Sequence, residues 1–231
     1  MSTAAVMPLL KRLAAHLPVG AQHELRRLFF RSQIRRRRFY TDEKEYALLD
    51  RFLRHGDWAL DIGANVGHYA MRMAELVGPT GHVIAIEPVP ETFALLAENA
   101  RIFSQGNVSL LNVAASDRTS TVGMEIPAFV AGLKNYYQAR LAPRTNGFAI
   151  LTIKVDALQL PTIGLVKIDV EGHELSVLRG MRDLLERDRP IMIVETASPQ
   201  VEALLNSLGY STERLPGSSN LLCTPGDRPF R

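Results

Sequence analysis

Cysteine is almost absent from this sequence, since Cys223 is the single one. An internal disulfide is therefore excluded, and a reducing, cytoplasmic setting is expected. No apolar stretch approaches the length of a membrane span, and Lys11 and Arg12 interrupt the short apolar run near Met1. Neither a transmembrane helix nor a secretion signal is predicted. The histidine spacing also matches no zinc site.

Apolar residues are plentiful enough for one full core. The 231 residues are 46% hydrophobic and 22% charged, which indicates one globular domain. The net charge of +3 is unevenly spread, because residues 1–40 hold nine Lys and Arg and a single acid, Glu24. That segment carries +8, which leaves −5 for the remainder. We therefore divide the chain into a basic N-terminal helical arm, residues 1–40, and a domain, residues 41–231.

The basic arm has two interpretations. In the first, the arm binds a partner of its own, and anionic lipid or nucleic acid would be a suitable partner. Alternatively, "LLKRLAAHL" and "HELRRLFFRSQI" are amphipathic helices that place Leu and Phe on the domain and leave Arg in water. The helical spacing favours the second interpretation. Covering a cleft, forming a homodimer and touching a membrane surface stay open as roles.

Beyond the arm, apolar strand patterns alternate with amphipathic helical patterns. The predicted strands are "DWALDIG", "HVIAIE", "VSLLNVA", "LVKIDV" and "IMIVE", and the predicted helices are "GHYAMRMAELVG", "PETFALLAENARIF", "ELSVLRGMRDLLE" and "PQVEALLNSLG". An antiparallel pair, "YSTERL" and "NLLCTP", closes the chain. Strands this apolar must be covered on both faces, so we predict a three-layer α/β sheet with its ligand cleft beyond the carboxyl ends of the strands.

The first predicted strand ends in the glycine-rich loop "LDIGANVGHY". Gly63 and Gly67 allow a tight turn and a close approach to a ligand, and Asp61 and Asn65 add polar groups. The loop is not the dinucleotide fingerprint, because Asn65 occupies the place of the second glycine. Glu87 ends the next strand, where an acid can accept hydrogen bonds from both hydroxyls of a ribose. Taken separately, the loop could be an ordinary turn and Glu87 a helix-capping acid. Taken together, the loop and Glu87 predict a ribose-bearing ligand without a diphosphate.

Five motifs extend this interpretation: "DIGANVGHYA", "IAIEPVPETFALLAENA", "NVAASD", "VDAL" and "VKIDVEGHELSVLRG". They resemble the FkbM-type family of S-adenosylmethionine-dependent O-methyltransferases, from Asp42 to Thr196. The resemblance implies a Rossmann-like class I methyltransferase sheet, mostly parallel, of seven strands with an antiparallel last strand. It also implies methyl transfer to a hydroxyl of a small molecule or glycan, such as a sugar, glycolipid or polyketide. The implied cofactor contacts are Asp61, Gly63, Ala64, Asn65, Gly67, Glu87, Pro88, Ala115 and Asp117.

The segment "LVKIDVEGHE" begins as an apolar strand pattern and becomes rich in charged residues toward its carboxyl end. In an extended chain Lys167, Asp169 and Glu171 point to one face, which we expect to open into the cleft because unpaired buried charges are costly. His173 is the first candidate for the base that takes the hydroxyl proton, and Glu171 and Asp169 are candidates to orient substrate or serve as the base themselves. The alternatives are a helix-start histidine without a chemical role and acids that pair structurally with Lys167.

A further acid, Glu195, ends the next strand in "IVET". Neighbouring parallel strands should bring its carboxylate close to that of Asp169 or Glu171. Two such carboxylates can hold Mg²⁺, share a proton or bind a polyol. Metal dependence therefore stays open, with Asp169 and Glu195 as the candidate ligands. Glu195 and Lys167 are also candidate substrate contacts.

The middle of the chain has few regular patterns. "STVGMEIP" is predicted to be a short edge strand, and residues 126–150 are predicted to form a substrate loop above the cleft. Tyr136 and Tyr137 are candidates to stack on the acceptor. The alternative is a surface loop whose tyrosines pack back on the domain.

Two further function classes remain. An RNA-directed methyltransferase is supported by "RSQIRRRR" alone, and "DVEG" stands where base-directed amino methyltransferases carry Asn or Asp, two prolines and an aromatic residue. Nucleic acid is therefore not the expected partner. The other class is a non-catalytic cofactor-binding partner of a pathway enzyme. The complete glycine-rich loop and acidic strand end argue against it.

Overall fold

The computed structural model describes residues 17–103, 106–128, 134–143 and 148–226. The helices are α1 Val19–Arg35, α2 Leu49–Phe52, α3 His68–Val77, α4 Pro90–Phe103, α5 Glu174–Arg179, α6 Arg182–Asp188 and α7 Pro199–Ser207. The strands are β1 Trp58–Ile62, β2 His82–Ile86, β3 Val108–Leu111, β4 Ala114–Ala115, β5 Ser120–Glu125, β6 Arg140–Ala142, β7 Phe148–Ile153, β8 Ile163–Ile168, β9 Ile191–Glu195, β10 Tyr210–Glu213 and β11 Asn220–Pro225. Within the described ranges, every helix is too short or too polar to cross a bilayer.

Seven strands form one sheet in the order β10-β11-β9-β8-β1-β2-β3. Strands β3, β2, β1, β8 and β9 run parallel, and β11 lies antiparallel between β9 and β10. The predicted mostly parallel sheet with an antiparallel last strand is confirmed. The carboxyl ends of β1, β2, β8 and β9 consequently meet at one edge of the sheet.

Both faces of this sheet are buried, as the three-layer prediction requires. Ala59 of β1 belongs to a core cluster with α1, α3 and α4, whereas its neighbour Leu60 belongs to a second cluster with α5, α6 and α7. This alternation follows from the two-residue period of a strand. Burial of each large apolar side chain stabilises the fold by roughly 1.5–3 kcal/mol.

A second, four-stranded sheet has the order β4-β7-β5-β6 and was not predicted. The prediction of an edge strand at "STVGMEIP" is wrong, because β5 lies between β7 and β6 and is antiparallel to both. Met124 and Ile150 give this sheet a small core with Val89 and Ala114. Residues 140–142 and 148–150 of the predicted loop at 126–150 are thus in strands β6 and β7, which long-range pairing stabilises and local pattern does not reveal.

The predicted helix "ELSVLRGMRDLLE" is divided into α5 and α6 at Gly180. A Cβ atom at Gly180 would lie 1.9 Å from the carbonyl oxygen of Ser116. The loop after β4 therefore packs directly on the backbone at this point. Glycine also has low helix propensity, so the break has a local and a tertiary cause.

The helix predicted at "HELRRLFFRSQI" is present as part of α1, which packs along α4. Its Arg27 lies 3.3 Å from Glu98 of α4. Phe30 is buried, but Leu25, Leu28 and Phe29 are exposed, so the expectation that the Leu and Phe side chains lie on the domain is wrong for these three. The prediction of a helix at "LLKRLAAHL" concerns residues outside the described ranges.

Candidate functional site

The loop between β1 and α3 has an unusual backbone. Gly63, Asn65 and Gly67 all adopt positive φ angles, of 82°, 49° and 98°. A Cβ atom at Gly63 would lie 1.7 Å from the carbonyl oxygen of Asp169, so only glycine allows the loop to pass this close to the end of β8. The loop therefore joins the ends of β1 and β8 and leaves the N-terminus of α3 beside a cavity that His68 and Tyr69 line.

Glu87 holds this loop from the neighbouring strand. Its Oε2 accepts a hydrogen bond from the backbone N–H of Asn65, and its Oε1 accepts one from that of Val89, both at 2.9 Å. Burial raises the pKa of Glu87 to about 7, although the two N–H donors act in the opposite direction. Each oxygen keeps lone-pair capacity for a further donor.

Asp61 lies beneath the loop and is 2% exposed. Burial raises its pKa to about 7, against the opposing charge of Lys167. Lys167 is itself 1% exposed, donates a 2.8 Å hydrogen bond to Asn220 Oδ1 and lies 3.9 Å from Asp169. The expectation that the face of β8 carrying Lys167 opens into the cleft holds only in part, because Lys167 lines a cavity there but is itself buried beside Tyr69 of α3 and Asn220 of β11.

The other acids of the segment lie beyond the strand. β8 ends at Ile168, and Glu171 has a φ of 48°, so the chain has turned before it. Asp169 and Glu195, at the end of β9, line the same cavity, and burial together with the charge of Glu195 raises the pKa of Asp169 to about 7. Burial and Glu195 also raise the pKa of Glu171. The predicted proximity of these carboxyl groups is present, as three acids at the carboxyl ends of β8 and β9.

His173 is the N-cap residue of α5 and is half-buried. Its Nε2 lies 2.9 Å from Ser116 Oγ, and Ser116 Oγ donates to Asp117 Oδ1 at 3.3 Å. Burial lowers the pKa of His173, while Asp117 acts to raise it. The imidazole is therefore neutral near pH 7 and is oriented by the loop after β4.

A cavity of about 290 Å³ brings most of these groups together. Ten of the sequence-predicted site residues line it: Gly63, Asn65, Glu87, Pro88, Ala115, Tyr136, Asp169, Glu171, His173 and Glu195. Asp61, Ala64 and Lys167 instead line an adjoining cavity of about 400 Å³ that shares Gly63, Asn65 and Asp169 with the first. Gly67 and Asp117 line neither cavity. The side chain of Tyr137 lies outside the described part of the chain.

Glu43 lines both cavities and was missed from the sequence. Its Oε2 accepts hydrogen bonds from the Tyr69 hydroxyl at 2.8 Å and from Asn220 Nδ2 at 3.1 Å. No motif marks Glu43, because it comes from the irregular segment before β1 and reaches the site only when α3 and β11 are in place. Asn220 also donates to buried Glu45, which completes a polar wall beneath the loop.

The residues present suit the cofactor that the family resemblance implies. Within the described ranges, Asp61 Oδ2 and Asn65 Oδ1 are buried acceptors without a protein partner. Such acceptors suit the ammonium group of a methionine moiety, and Glu87 suits a ribose diol. For Mg²⁺, no group of three or more His, Cys, Asp or Glu with ligand geometry occurs in the described part of the chain.

The chain matches a family model described as the methyltransferase FkbM domain over residues 61–212. It is 31% identical to hexuronic acid methyltransferase AglP of Haloferax volcanii over 160 residues, which are 66% of this chain and 63% of that protein. It is 29% identical to the 31-O-demethyl-FK506 methyltransferase FkbM of Streptomyces tacrolimicus over 196 residues, 69% of this chain and 74% of that protein. The match thus spans less than two-thirds of AglP.

Among solved structures, a methyltransferase FkbM from Methylobacillus flagellatus is similar with a TM-score of 0.54 and 17% identity. The similarity covers 73% of this chain and 43% of that one. At this identity the likeness shows a shared fold, which is the class I methyltransferase sheet that the strand order displays.

Proposed function

The chain belongs to the FkbM family of methyltransferases, and from this premise we propose that it is an S-adenosylmethionine-dependent O-methyltransferase acting on a hydroxyl of a small molecule or glycan. One observation carries the proposal. Glu87, the acids Asp169 and Glu171, and His173 line a single cavity at the carboxyl ends of the parallel strands. This placement supports the proposal, because the acid proposed to bind the ribose lies in the same cavity as a set of proton acceptors.

Each group has a role in this proposal. When bound, S-adenosylmethionine supplies an electrophilic methyl group. Glu87 accepts hydrogen bonds from the ribose hydroxyls, and Asp61 and Asn65 accept hydrogen bonds from the ammonium group. Pro88 and Ala115, which line the cavity, are assigned to the adenine ring, and so is Asp117, which accepts the hydrogen bond from Ser116 in the loop after β4.

The proposed base is His173, acting through Nδ1. Ser116 Oγ donates to Asp117, so it can accept the proton of His173 Nε2–H. This arrangement leaves the Nδ1 lone pair free to take the proton of an acceptor hydroxyl. Asp169, Glu171 and Glu195 then bind the neighbouring hydroxyls of the acceptor. Carboxylates accept strong hydrogen bonds from hydroxyl groups, so three of them suit a polyol.

Two relatives and the cavity support this acceptor class. The names of the relatives concern a hexuronic acid and 31-O-demethyl-FK506, both of which carry hydroxyl groups. Tyr136 lines the cavity, and although the Arg26 guanidinium lies 4.8 Å from the centroid of its ring, the remaining ring surface is assigned to contact with a sugar or polyketide. Hydroxylated sugars, sugar acids, glycolipids and polyketides are therefore the first acceptors to screen.

The deciding experiment is isothermal titration of the purified chain with S-adenosylhomocysteine, with NAD as the control ligand. Micromolar affinity for the first ligand and none for NAD is the expected result. Binding of neither ligand would contradict the proposal. Transfer of a labelled methyl group to the acceptor panel then tests catalysis, and cofactor binding without transfer to any acceptor would favour a non-catalytic partner. Transfer to RNA alone would favour the RNA-directed alternative.

The metal question is tested by running both the titrations and the methyl-transfer assay with Mg²⁺ and with EDTA. If transfer requires Mg²⁺ and this dependence on Mg²⁺ is lost in Glu195→Gln, Asp169 and Glu195 are assigned as metal ligands. Equal transfer in Mg²⁺ and EDTA would exclude the metal role and leave proton sharing and polyol binding, and the raised pKa of Asp169 supports a shared proton.

A further inference from the structure

The outward side of α1 carries an exposed apolar stripe. Leu25, Leu28 and Phe29 are 48%, 49% and 50% exposed. Their spacing of three and four residues places them on one side of the helix. Arg35 and Arg36 follow seven residues after Leu28 and Phe29, so two exposed guanidinium groups extend the same side. We call these five residues the outer face of α1.

The opposite side of α1 is held against the domain, which fixes the outer face toward solvent. Phe30 is buried and packs edge-on against Phe39 with ring centroids 6.0 Å apart. Arg27 pairs with Glu98 of α4 and with Glu24 of its own helix. The inward side therefore has its hydrophobic and ionic partners within the domain. Rotating the outer face inward would break these contacts.

The charge around the outer face has one sign. The sequence contains no acidic residue between Leu25 and Thr41, and Arg35 to Arg38 are all exposed. In the described part of the chain, no salt bridge engages any of these four arginines. A surface that joins exposed Leu and Phe to a run of arginines is typical of helices that lie in the plane of a membrane interface.

We propose that the outer face of α1 binds the surface of an anionic lipid bilayer. Leu25, Leu28 and Phe29 enter the boundary between headgroups and acyl chains, and the guanidinium groups of Arg35 and Arg36 pair with lipid phosphates. A second copy of the chain fits less well, because the segment from Leu25 to Thr41 has no acidic residue to offer the arginines of the partner copy. Nucleic acid would pair with the arginines but leave the apolar stripe in water.

The test is flotation of the full chain with vesicles. Vesicles of phosphatidylcholine and phosphatidylglycerol should carry the protein, and vesicles of phosphatidylcholine alone should carry at least about tenfold less. The combined variant Leu25→Ser, Leu28→Ser and Phe29→Ser should lose binding by about tenfold or more. The charge variant Arg35→Gln with Arg36→Gln should lose a similar factor, and added salt should weaken binding of the unaltered chain.

The matched charge control is Arg179→Gln with Arg182→Gln, which removes two exposed arginines from α5 and α6 on the other side of the sheet. It should float like the unaltered chain. S-adenosylhomocysteine affinity and melting temperature, measured on every variant, separate lost binding from lost folding.

Four outcomes would overturn the proposal. They are no preference for anionic vesicles, full binding by the folded serine variant, and equal loss in the Arg179 and Arg182 control. The fourth is a dimer in sedimentation equilibrium that the serine variant dissociates, which would assign the face to a second copy. RNA retention that depends on the arginines, without vesicle binding, gives the first outcome and would assign the face to nucleic acid.

Discussion

Glu87 and Asn65 are joined by a hydrogen bond of 2.9 Å from the backbone N–H of Asn65 to Glu87 Oε2. The bond connects the end of β2 to the loop after β1, and it holds Asn65 in its positive-φ conformation. The same carboxylate therefore shapes the loop and faces the cavity. Several consequences of this arrangement can be measured.

Glu87→Ala should weaken S-adenosylhomocysteine binding by about tenfold or more, which corresponds to about 1.4 kcal/mol. The variant loses the acceptor proposed for the ribose and the anchor of the loop. Isothermal titration measures the affinity, and Glu87→Gln, which keeps one acceptor oxygen, should bind with intermediate affinity. Unchanged affinity in a folded Glu87→Ala protein would remove Glu87 from the cofactor site.

Gly63→Ala should destabilise the protein by about 3 kcal/mol or more, because its Cβ atom would collide with the backbone of Asp169 at a positive φ angle. Gly106→Ala is the matched control, since Gly106 also has a positive φ, of 77°, and no atom lies within 4 Å of its Cβ position. That variant should lose only about 1–2 kcal/mol. Urea unfolding measures both, and equal losses would show that the close approach is unimportant.

Stability of the ligand-free protein should fall as the pH rises toward 7, and Asp61 should be one cause. Its pKa is raised from 3.8 to about 7, mainly by burial, so the folded protein keeps a proton that the unfolded chain has lost in this window. The stabilising contribution is complete below pH 3.8 and is lost as the pH passes about 7. The amount is at most about 4 kcal/mol.

Asp61→Asn isolates this effect, because asparagine does not titrate. The free energy of unfolding should depend less on pH in the variant than in the unaltered chain between pH 4 and about 8. Parallel curves for the two proteins would contradict the raised pKa of Asp61.

His173→Ala should lower turnover by about 100-fold or more and leave S-adenosylhomocysteine affinity nearly unaltered. Because burial lowers the pKa of His173, turnover of the unaltered enzyme should rise with pH through a value below 6.5 and then level off. That acidic limb should vanish in the alanine variant. A fully active His173→Ala enzyme would show that His173 is not the base and would leave Glu171 and Asp169 as the candidates.

Ser116→Ala tests how His173 is oriented. Loss of the 2.9 Å contact should lower turnover less than His173→Ala does and should shift the acidic limb of the pH profile. The affinity for S-adenosylhomocysteine should stay the same. An unchanged pH profile would show that Ser116 does not orient the imidazole.

Local pattern was sufficient for much of this molecule. The alternation in β1 and β2, the glycines at 63 and 67 and the acid at 87 predicted a parallel sheet with a loop and an acid at one edge, and Asp169 and Glu195 were expected to approach each other there. These predictions succeeded because each rests on a short repeat or on the rule that parallel strands end at a common edge.

Other features could not be predicted from short segments. The second sheet depends on pairing between β5 and β7, and the break at Gly180 depends on the approach of Ser116. Glu43 reaches the cavities through contacts with Tyr69 and Asn220, which lie 26 and 177 residues further along the chain. None of these partners is adjacent in sequence, so no periodicity marks them.

The sequence by itself determined the family, the order of the strands in the seven-stranded sheet along the chain, and the residue types at the strand ends, because these depend on side-chain period and on short motifs. Tertiary structure decided which of those side chains share a cavity. It buried Lys167 beside Asn220 and turned Glu171 away from the strand direction. It also left Leu25, Leu28 and Phe29 in solvent. The physical reason is that burial and pairing depend on what packs against a residue, and distant segments supply those neighbours.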